Sequence, residues 1–281
     1  MAGSNPEILR SVAIAVAPNG GRRTKADHPA LPMTTEEISA TAAACLEAGA
    51  CMIHAHIRNP QGHHLLDADA YRATIAAVRA AVGDQLVIQI TSEALGIYKS
   101  AEQMAVVRDV RPEAVSIALR ELAPDASHEA AFADFLTWLR REKVTPQIIL
   151  YSPEEVARLA ELKTRGLIPF NDVPVLYVLG RYTVGQKSAP SDLLPFLAPG
   201  MPRFAHWSVC AFGAREHACV TAAALLGGNA RVGFENNLWL ADGSVAADNA
   251  ALVAAARATL GTCDLAAATA AQLRAAWTAM V

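Results

Sequence analysis

Short apolar runs rich in β-branched residues alternate along this chain with longer, alanine-rich amphipathic segments, and this alternation restricts the fold more than any other feature. Eight runs read as strands: 11–17, 51–57, 86–91, 114–119, 146–150, 174–180, 203–210 and 230–236. Helical patterns follow them at 34–48, 67–82, 100–110, 127–142, 153–165, 190–197, 213–226 and 244–260. Such a series is the signature of βαβ units feeding a parallel sheet. Eight units in 281 residues, with no linker or low-complexity segment, predict an α/β fold: one TIM (β/α)8 barrel domain spanning 1–281. A further helix near 266–280, ending in Trp277, lies beyond the eighth unit and is expected to cover one barrel end or reach a neighbouring subunit.

Some boundaries carry explicit capping chemistry. "MTTEEI" supplies a threonine cap followed by acidic residues in the first turn, and "YSPEEV" places Ser152 at a cap with Pro153 at the first helical position.

Hydrophobic residues make up 53% of the chain, yet no apolar run reaches the roughly 20 residues of a membrane helix, so this apolarity belongs to an interior or a subunit interface. A net charge of −3 leaves no basic footprint for nucleic acid. The five cysteines are odd in number, scattered, and include no C-x-x-C pair, which points to a reducing cytoplasm rather than a disulfide framework or structural zinc site. The apolar start "RSVAIAVAP" runs into "NGGRRTK" without a cleavage site and reads as a strand, not a signal peptide.

In a barrel the chemistry collects at the C-terminal strand ends and the loops beyond them. Within "CMIHAHIRNP" side-chain alternation puts His54, His56 and Arg58 on one face. Two histidines at i and i+2 near a strand end can bring ring nitrogens to one metal. Hydrogen-bonded core histidines would leave the same pattern. In "ARVGFEN" the alternation places Arg231, Gly233 and Glu235 together at the end of the eighth strand. Closure sets that strand about two spacings, roughly 10 Å, from the histidines. His54, His56 and Glu235 thus form a candidate His₂Glu site for zinc or another divalent metal.

Strand one ends in "APNGGRRTKADHP", where Arg22, Arg23 and Lys25 bring positive charge near the proposed ion and favour an anionic substrate. Asn19 and Arg22 from this loop, with Arg58, are the candidate substrate contacts. "QITSEALG" offers the hydroxyls of Thr91 and Ser92, with Glu93 beside them; no nucleophile elbow accompanies them, so they read as groups that orient substrate. The tandem His63 and His64 read as surface residues and stay outside the metal set. His28, His206 and His217 read as structural groups, and His128 as part of an outer helix.

Taken together, "NGGRRTKADHPALPMTTEEI", "AGACMIHAHIRNPQGHHLLD" and "GGNARVGFENNLWLADGSVAADNAALV" resemble the β-keto acid cleavage enzymes, the family of the 3-keto-5-aminohexanoate cleavage enzyme. The resemblance runs through nearly the whole chain. It implies a TIM barrel assembled as a homotetramer, with a divalent metal, commonly zinc, held by His54, His56 and Glu235. The implied reaction is a retro-Claisen exchange, in which a β-keto acid and acetyl-CoA give acetoacetate and a new CoA thioester. Arg231 matches the catalytic arginine of the last strand, and Thr91 or Ser92 the orienting hydroxyl.

Three departures from the family pattern stand out. The aspartate that takes part in proton transfer in relatives is replaced by Asn236, the candidate for that catalytic position. The acidic "E-x-E-x-F-D" of the fifth strand reads "PQIILYS" and supplies Gln147. Where the amine-recognising member has a glutamate after strand one, this chain places Arg22, which argues for an anionic or polar, non-aminated substrate. Two alternatives follow: an amidohydrolase-like enzyme in which metal-bound hydroxide attacks an amide or ester, and a catalytically degenerate, ligand-binding member motivated by Asn236 and Gln147.

Overall fold

The computed structural model describes residues 10–280. Eight parallel strands form a closed barrel: β1 (Ile14–Val16), β2 (Met52–Ala55), β3 (Val87–Thr91), β4 (Ala114–Ala118), β5 (Thr145–Leu150), β6 (Val175–Leu179), β7 (Trp207–Ala211) and β8 (Asn229–Val232). Each pairs with its successor, and β8 closes on β1 through Ala230↔Ile14, Arg231↔Ala15 and Val232↔Val16. Around them lie α1 (Thr35–Ala48), α2 (Ala68–Val82), α3 (Ser100–Val110), α4 (Glu129–Arg141), α5 (Pro153–Thr164), α6 (Glu216–Leu225) and α7 (Asn249–Thr262). Apolar side chains between strands and helices make up the main core, Phe132, Phe135, Leu159 and Val209 on one side and Ile38, Ile53, Val78 and Val253 on the other.

The capping chemistry read from the sequence is present. Thr34 Oγ1 accepts from Glu37 N at 3.2 Å while Glu37 Oε2 accepts from Thr34 N at 3.3 Å, the reciprocal pair that satisfies two otherwise orphaned donors. Ser152 Oγ accepts from Glu155 N at 3.4 Å with Pro153 at the first helical position.

Several boundaries differ from the sequence reading, and four of them bear on the barrel and its mouth. The first run divides: Ser11–Val12 leaves the barrel to pair with Ala266–Ala267, and only Ile14–Val16 joins it. The seventh strand begins at Trp207 rather than 203. Residues 190–197 form a 3₁₀ helix containing Pro190 and Pro195, where missing N–H groups disfavour an α-helical ladder. The eighth strand stops at Val232, because Gly233 takes φ +136° and a Cβ there would lie 2.4 Å from Ala17 O. Residues 234–236 therefore form a turn, and Glu235 reaches the barrel mouth from that turn rather than from a strand face.

The last helix, α8 (Ala270–Thr278), covers the N-terminal end of the barrel. Its Leu273 and Trp277 pack with the inward-facing Ala13, Ala15, Met52 and Val87, sealing the end opposite the strand C-termini. Among the described residues no helix is long and apolar enough to cross a membrane.

Candidate active site

At the strand C-termini three donor atoms converge. His54 Nε2 lies 3.1 Å from His56 Nε2, and Glu235 Oε2 is 3.5 Å from each. Ligand atoms held about 2.0–2.1 Å from one tetrahedral ion sit about 3.3 Å apart, so the triangle has the dimensions of one face of such a site. Glu235 Oε2 is buried without a hydrogen-bond partner. An orphaned carboxylate oxygen between two imidazole nitrogens is a fit for a cation, and N₂O donors suit zinc or a related divalent metal. Among the described residues no other histidine, cysteine or acid joins the cluster.

The surroundings orient these donors. Gln89 Oε1 sits 2.8 Å from His54 Nδ1, so the ring carries its proton on Nδ1 and presents the Nε2 lone pair to the cluster. Gln89 Nε2 in turn donates to Gln147 Oε1 at 3.1 Å, which is the place of the fifth-strand glutamine. Burial, reinforced by nearby Arg231, lowers the His54 pKa to about 3 and keeps the ring neutral, as a ligand must be. Burial disfavours the ionised form of Glu235, yet Arg231 and the two histidines hold its carboxyl well below the usual range.

Arg231 Nη2 donates to Glu235 Oε1 at 2.9 Å, to Asn236 Oδ1 at 3.3 Å and to Cys210 Sγ at 3.4 Å. Its Nε and Nη1 are buried without a partner and, with the equally unpartnered Ser116 Oγ, belong to residues lining the cleft around the cluster. Thr91, Glu93, Tyr151 and Arg181 complete the polar lining, while Ala118, Ile149, Val178 and Phe212 give it an apolar wall. Buried donors opposite an apolar wall suit a small anionic ligand with an uncharged segment.

Of the candidate residues, His54, His56, Glu235, Arg231 and Thr91 share this cleft. Asn236 lies behind Arg231, fully buried. Ser92 Oγ donates to Ser116 O at 3.1 Å. Asn19 is buried and braces the second strand end, its Nδ2 donating to His56 O at 2.9 Å and to Pro32 O at 3.0 Å. The Arg58 guanidinium spends its donors on the backbone carbonyls of Asn19, Gly20, Arg23 and Gly62, and so holds the first loop in shape. Arg22 is exposed on an adjoining cavity that it lines with Arg23 and Arg181.

Other histidines fall elsewhere. His64 is buried, not a surface residue, with Nε2 2.8 Å from Glu93 O, whereas His63 is exposed. His28 faces Ala246 O at 3.0 Å, His217 meets Thr259 Oγ1 at 2.8 Å, and His206 lies at the far barrel end.

Several side chains of the site escaped the sequence reading. Gln89 and Ser116 were each a polar residue inside an apolar run, on the same alternating face as Thr91 and Ala118 respectively; that alternation was the available signal. Arg181 stands one glycine beyond the sixth strand, and its guanidinium pairs with Glu93 at 3.6 Å. Glu216, at the start of α6, accepts from Asn236 Nδ2 at 3.1 Å. Burial pushes its pKa up to about 8, although the hydrogen bonds from Asn236, Asn237 and Gly233 work the other way.

The fold and this cluster define a class: a (β/α)8-barrel enzyme with a His-His-Glu set able to hold a metal beside a buried arginine. The sequence model of the beta-keto acid cleavage enzyme family matches residues 11–278, and the chain belongs to that family. It is 27% identical over 251 residues to the 3-keto-5-aminohexanoate cleavage enzyme of Fusobacterium nucleatum, covering 88% of this chain and 90% of that one. It is also 27% identical to the 3,5-dioxohexanoate:acetyl-CoA acetone transferase of Paraburkholderia graminis, over 94% of each chain. Among solved structures, the binary complex of ObcA with oxaloacetate shares the fold, with a TM-score of 0.68 and 18% identity over 89% of this chain and 67% of that one. The enzyme is accordingly an acyl transferase acting on β-keto acids by a retro-Claisen type of reaction.

Proposed function

We propose that this barrel binds a divalent metal, zinc by its donor set, at His54, His56 and Glu235, and exchanges acyl groups between a β-keto acid and acetyl-CoA. In balance, R–CO–CH2–COO⁻ and acetyl-CoA give acetoacetate and R–CO–SCoA. The bond between the R–CO carbon and its CH2 breaks, and one from that CH2 to the acetyl carbon forms while the thiol passes to the R–CO group. The observation that carries this reading is the convergence of His54 Nε2, His56 Nε2 and Glu235 Oε2 beside the unpartnered donors of Arg231.

When bound, the metal supplies Lewis-acid polarisation of the keto oxygen. Arg231 Nε and Nη1, buried and unpaired, bind the substrate carboxylate or the enolate oxygen that develops as the C–C bond breaks. The hydroxyls of Thr91 and Ser116 orient the same ligand from adjacent strands, where these two residues pair in register. Ala118, Ile149, Val178 and Phe212 exclude water from the substituent side. Arg22 at the adjoining cavity, alongside Arg23 and Arg181, favours an anionic or polar substituent over an aminated one.

We extend the proposal to one barrel domain, on its eight βα units, working in the cytoplasm, on its scattered cysteines, as part of a homotetramer, on the family resemblance. Sedimentation of the purified protein tests the assembly.

The decisive assay incubates metal-loaded protein with acetyl-CoA and a panel of β-keto acids: unsubstituted 3-oxo acids, 3,5-dioxohexanoate and 3-keto-5-aminohexanoate. Acetoacetate and a new thioester are expected with at least one non-aminated acid. Absence of product with every acid overturns the reading.

A further inference from the structure

Asn236 directly follows Glu235, and a carboxyl stands one hydrogen bond behind it. Asn236 Oδ1 accepts from Arg231 Nη2 at 3.3 Å, while its Nδ2 donates to Glu216 Oε1 at 3.1 Å. Glu216 is 1% exposed. It collects two more donors, Gly233 N at 3.2 Å and Asn237 Nδ2 at 3.3 Å. Each of these contacts is an N–H donor, so the carboxyl serves as acceptor and dictates the Asn236 amide: nitrogen toward Glu216, oxygen toward Arg231. An aspartate at 236 would set two carboxyls at hydrogen-bond distance with nothing but a shared proton to join them, in place of the amide N–H that Asn236 supplies. Positions 216 and 236 therefore accommodate one carboxyl and one amide.

The consequence falls on Arg231. Its Nη2 is shared by Glu235, Asn236 and Cys210, whereas Nε and Nη1 are free of protein partners and belong to the cleft lining. A planar guanidinium anchored at Nη2 cannot rotate its other donors out of the cleft. We infer that Glu216, working through Asn236, is a positioning residue that sets the orientation of the Arg231 guanidinium for the reacting keto acid. This rests on the proposed placement of substrate at Arg231.

The test is a carboxyl–amide swap. Glu216→Gln and Asn236→Asp are made singly and together, and folding is confirmed by thermal unfolding. With the most reactive acid of the panel, each single substitution is expected to lower kcat by about 10-fold or more at similar KM, the usual cost of losing a supporting hydrogen bond behind an active group. The double variant, which restores one carboxyl and one amide, is expected to recover most of that loss. Because the swap preserves the pairing, it also reports if a single variant fails to fold.

A second readout needs no turnover: 15N spectra of arginine side chains in the substrate-free protein. The Arg231 Nη signals are expected to be resolved in the wild type, averaged in Glu216→Gln, and resolved again in the swap. If the wild type cleaves no acid, the proposed function falls and these spectra alone decide the positioning role. A folded Glu216→Gln protein with wild-type kcat, unchanged Arg231 signals, or a folded swap no better than the single variants overturns it.

Discussion

Gly20 lies directly against Glu235: a Cβ built on Gly20 would sit 2.6 Å from Glu235 Cγ. The glycine also holds φ +57°, a left-handed conformation that side chains resist. The loop after β1 thus passes so close to Glu235 that only a glycine leaves room for its side chain beside His54 and His56. Gly20→Ala must strain the backbone or push Glu235 aside, and either opens the triangle. We predict metal affinity weaker by about 10-fold or more, measured by competition with a chelating dye. Unchanged affinity in the variant would show that Glu235 moves freely.

Gln89 sets the tautomer of His54 and is itself oriented by Gln147. Gln89→Leu removes the acceptor for the buried Nδ1–H and lets the ring protonate or turn. The expected cost is about 10- to 100-fold in metal affinity or activity. Gln147→Leu, one bond further out, should cost less. Equal losses in both variants, or none in Gln89→Leu, would contradict this order of dependence; titration of metal into each protein settles it.

These relationships mark where sequence reasoning stops. The βα alternation was legible because strand and helix periodicities differ and each segment is long enough to show one of them. Alternation also singled out His54, His56 and Glu235, but the route to Glu235 was misread. Gly233 breaks the strand, and a glycine's conformation depends on the approach of Ala17 O, a residue 216 positions earlier in the chain. Arg58 and Asn19 show a second limit. Their side chains bond to backbone carbonyls, which every residue possesses, so residue type alone does not reveal those partners. Glu216 shows a third: it opens a helix far from any motif, and only the folded turn of β8 brings Asn236 to it.

Arg22 is exposed at the rim of the cavity that it shares with Arg23 and Arg181. An exposed charge acts through the local field more than through a fixed bond, so its effect is screened by salt. Arg22→Glu should shift the ratio of kcat/KM between anionic and cationic β-keto acids by about 10-fold toward the cationic ones at low ionic strength. The shift should shrink at high salt. A ratio that stays at the wild-type value at low salt would mean that the substituent never approaches this rim.

His206 offers a test at the opposite barrel end, free of metal chemistry. Its ring is buried against α8, where Nδ1 accepts from Trp277 Nε1 at 3.3 Å, and it faces Asn229 Nδ2 at 3.4 Å through Nε2. Burial lowers its pKa from the ordinary 6.5 to about 4. The unfolded chain therefore binds a proton that the folded protein refuses throughout that interval. A depressed folded pKa contributes stability above the unfolded value, and this is lost as pH falls from 6.5 toward about 4. Between pH 7 and pH 5 the linkage amounts to about 2 kcal/mol. His54 and His64, both lowered to about 3 with burial the foremost cause, add acid sensitivity of the same sign. His206→Gln keeps a polar group but cannot titrate. Urea unfolding at the two pH values should thus show a smaller acid-induced loss in the variant by about that amount. An equal loss in both proteins would mean that His206 gains its proton without disturbing the seat of Trp277.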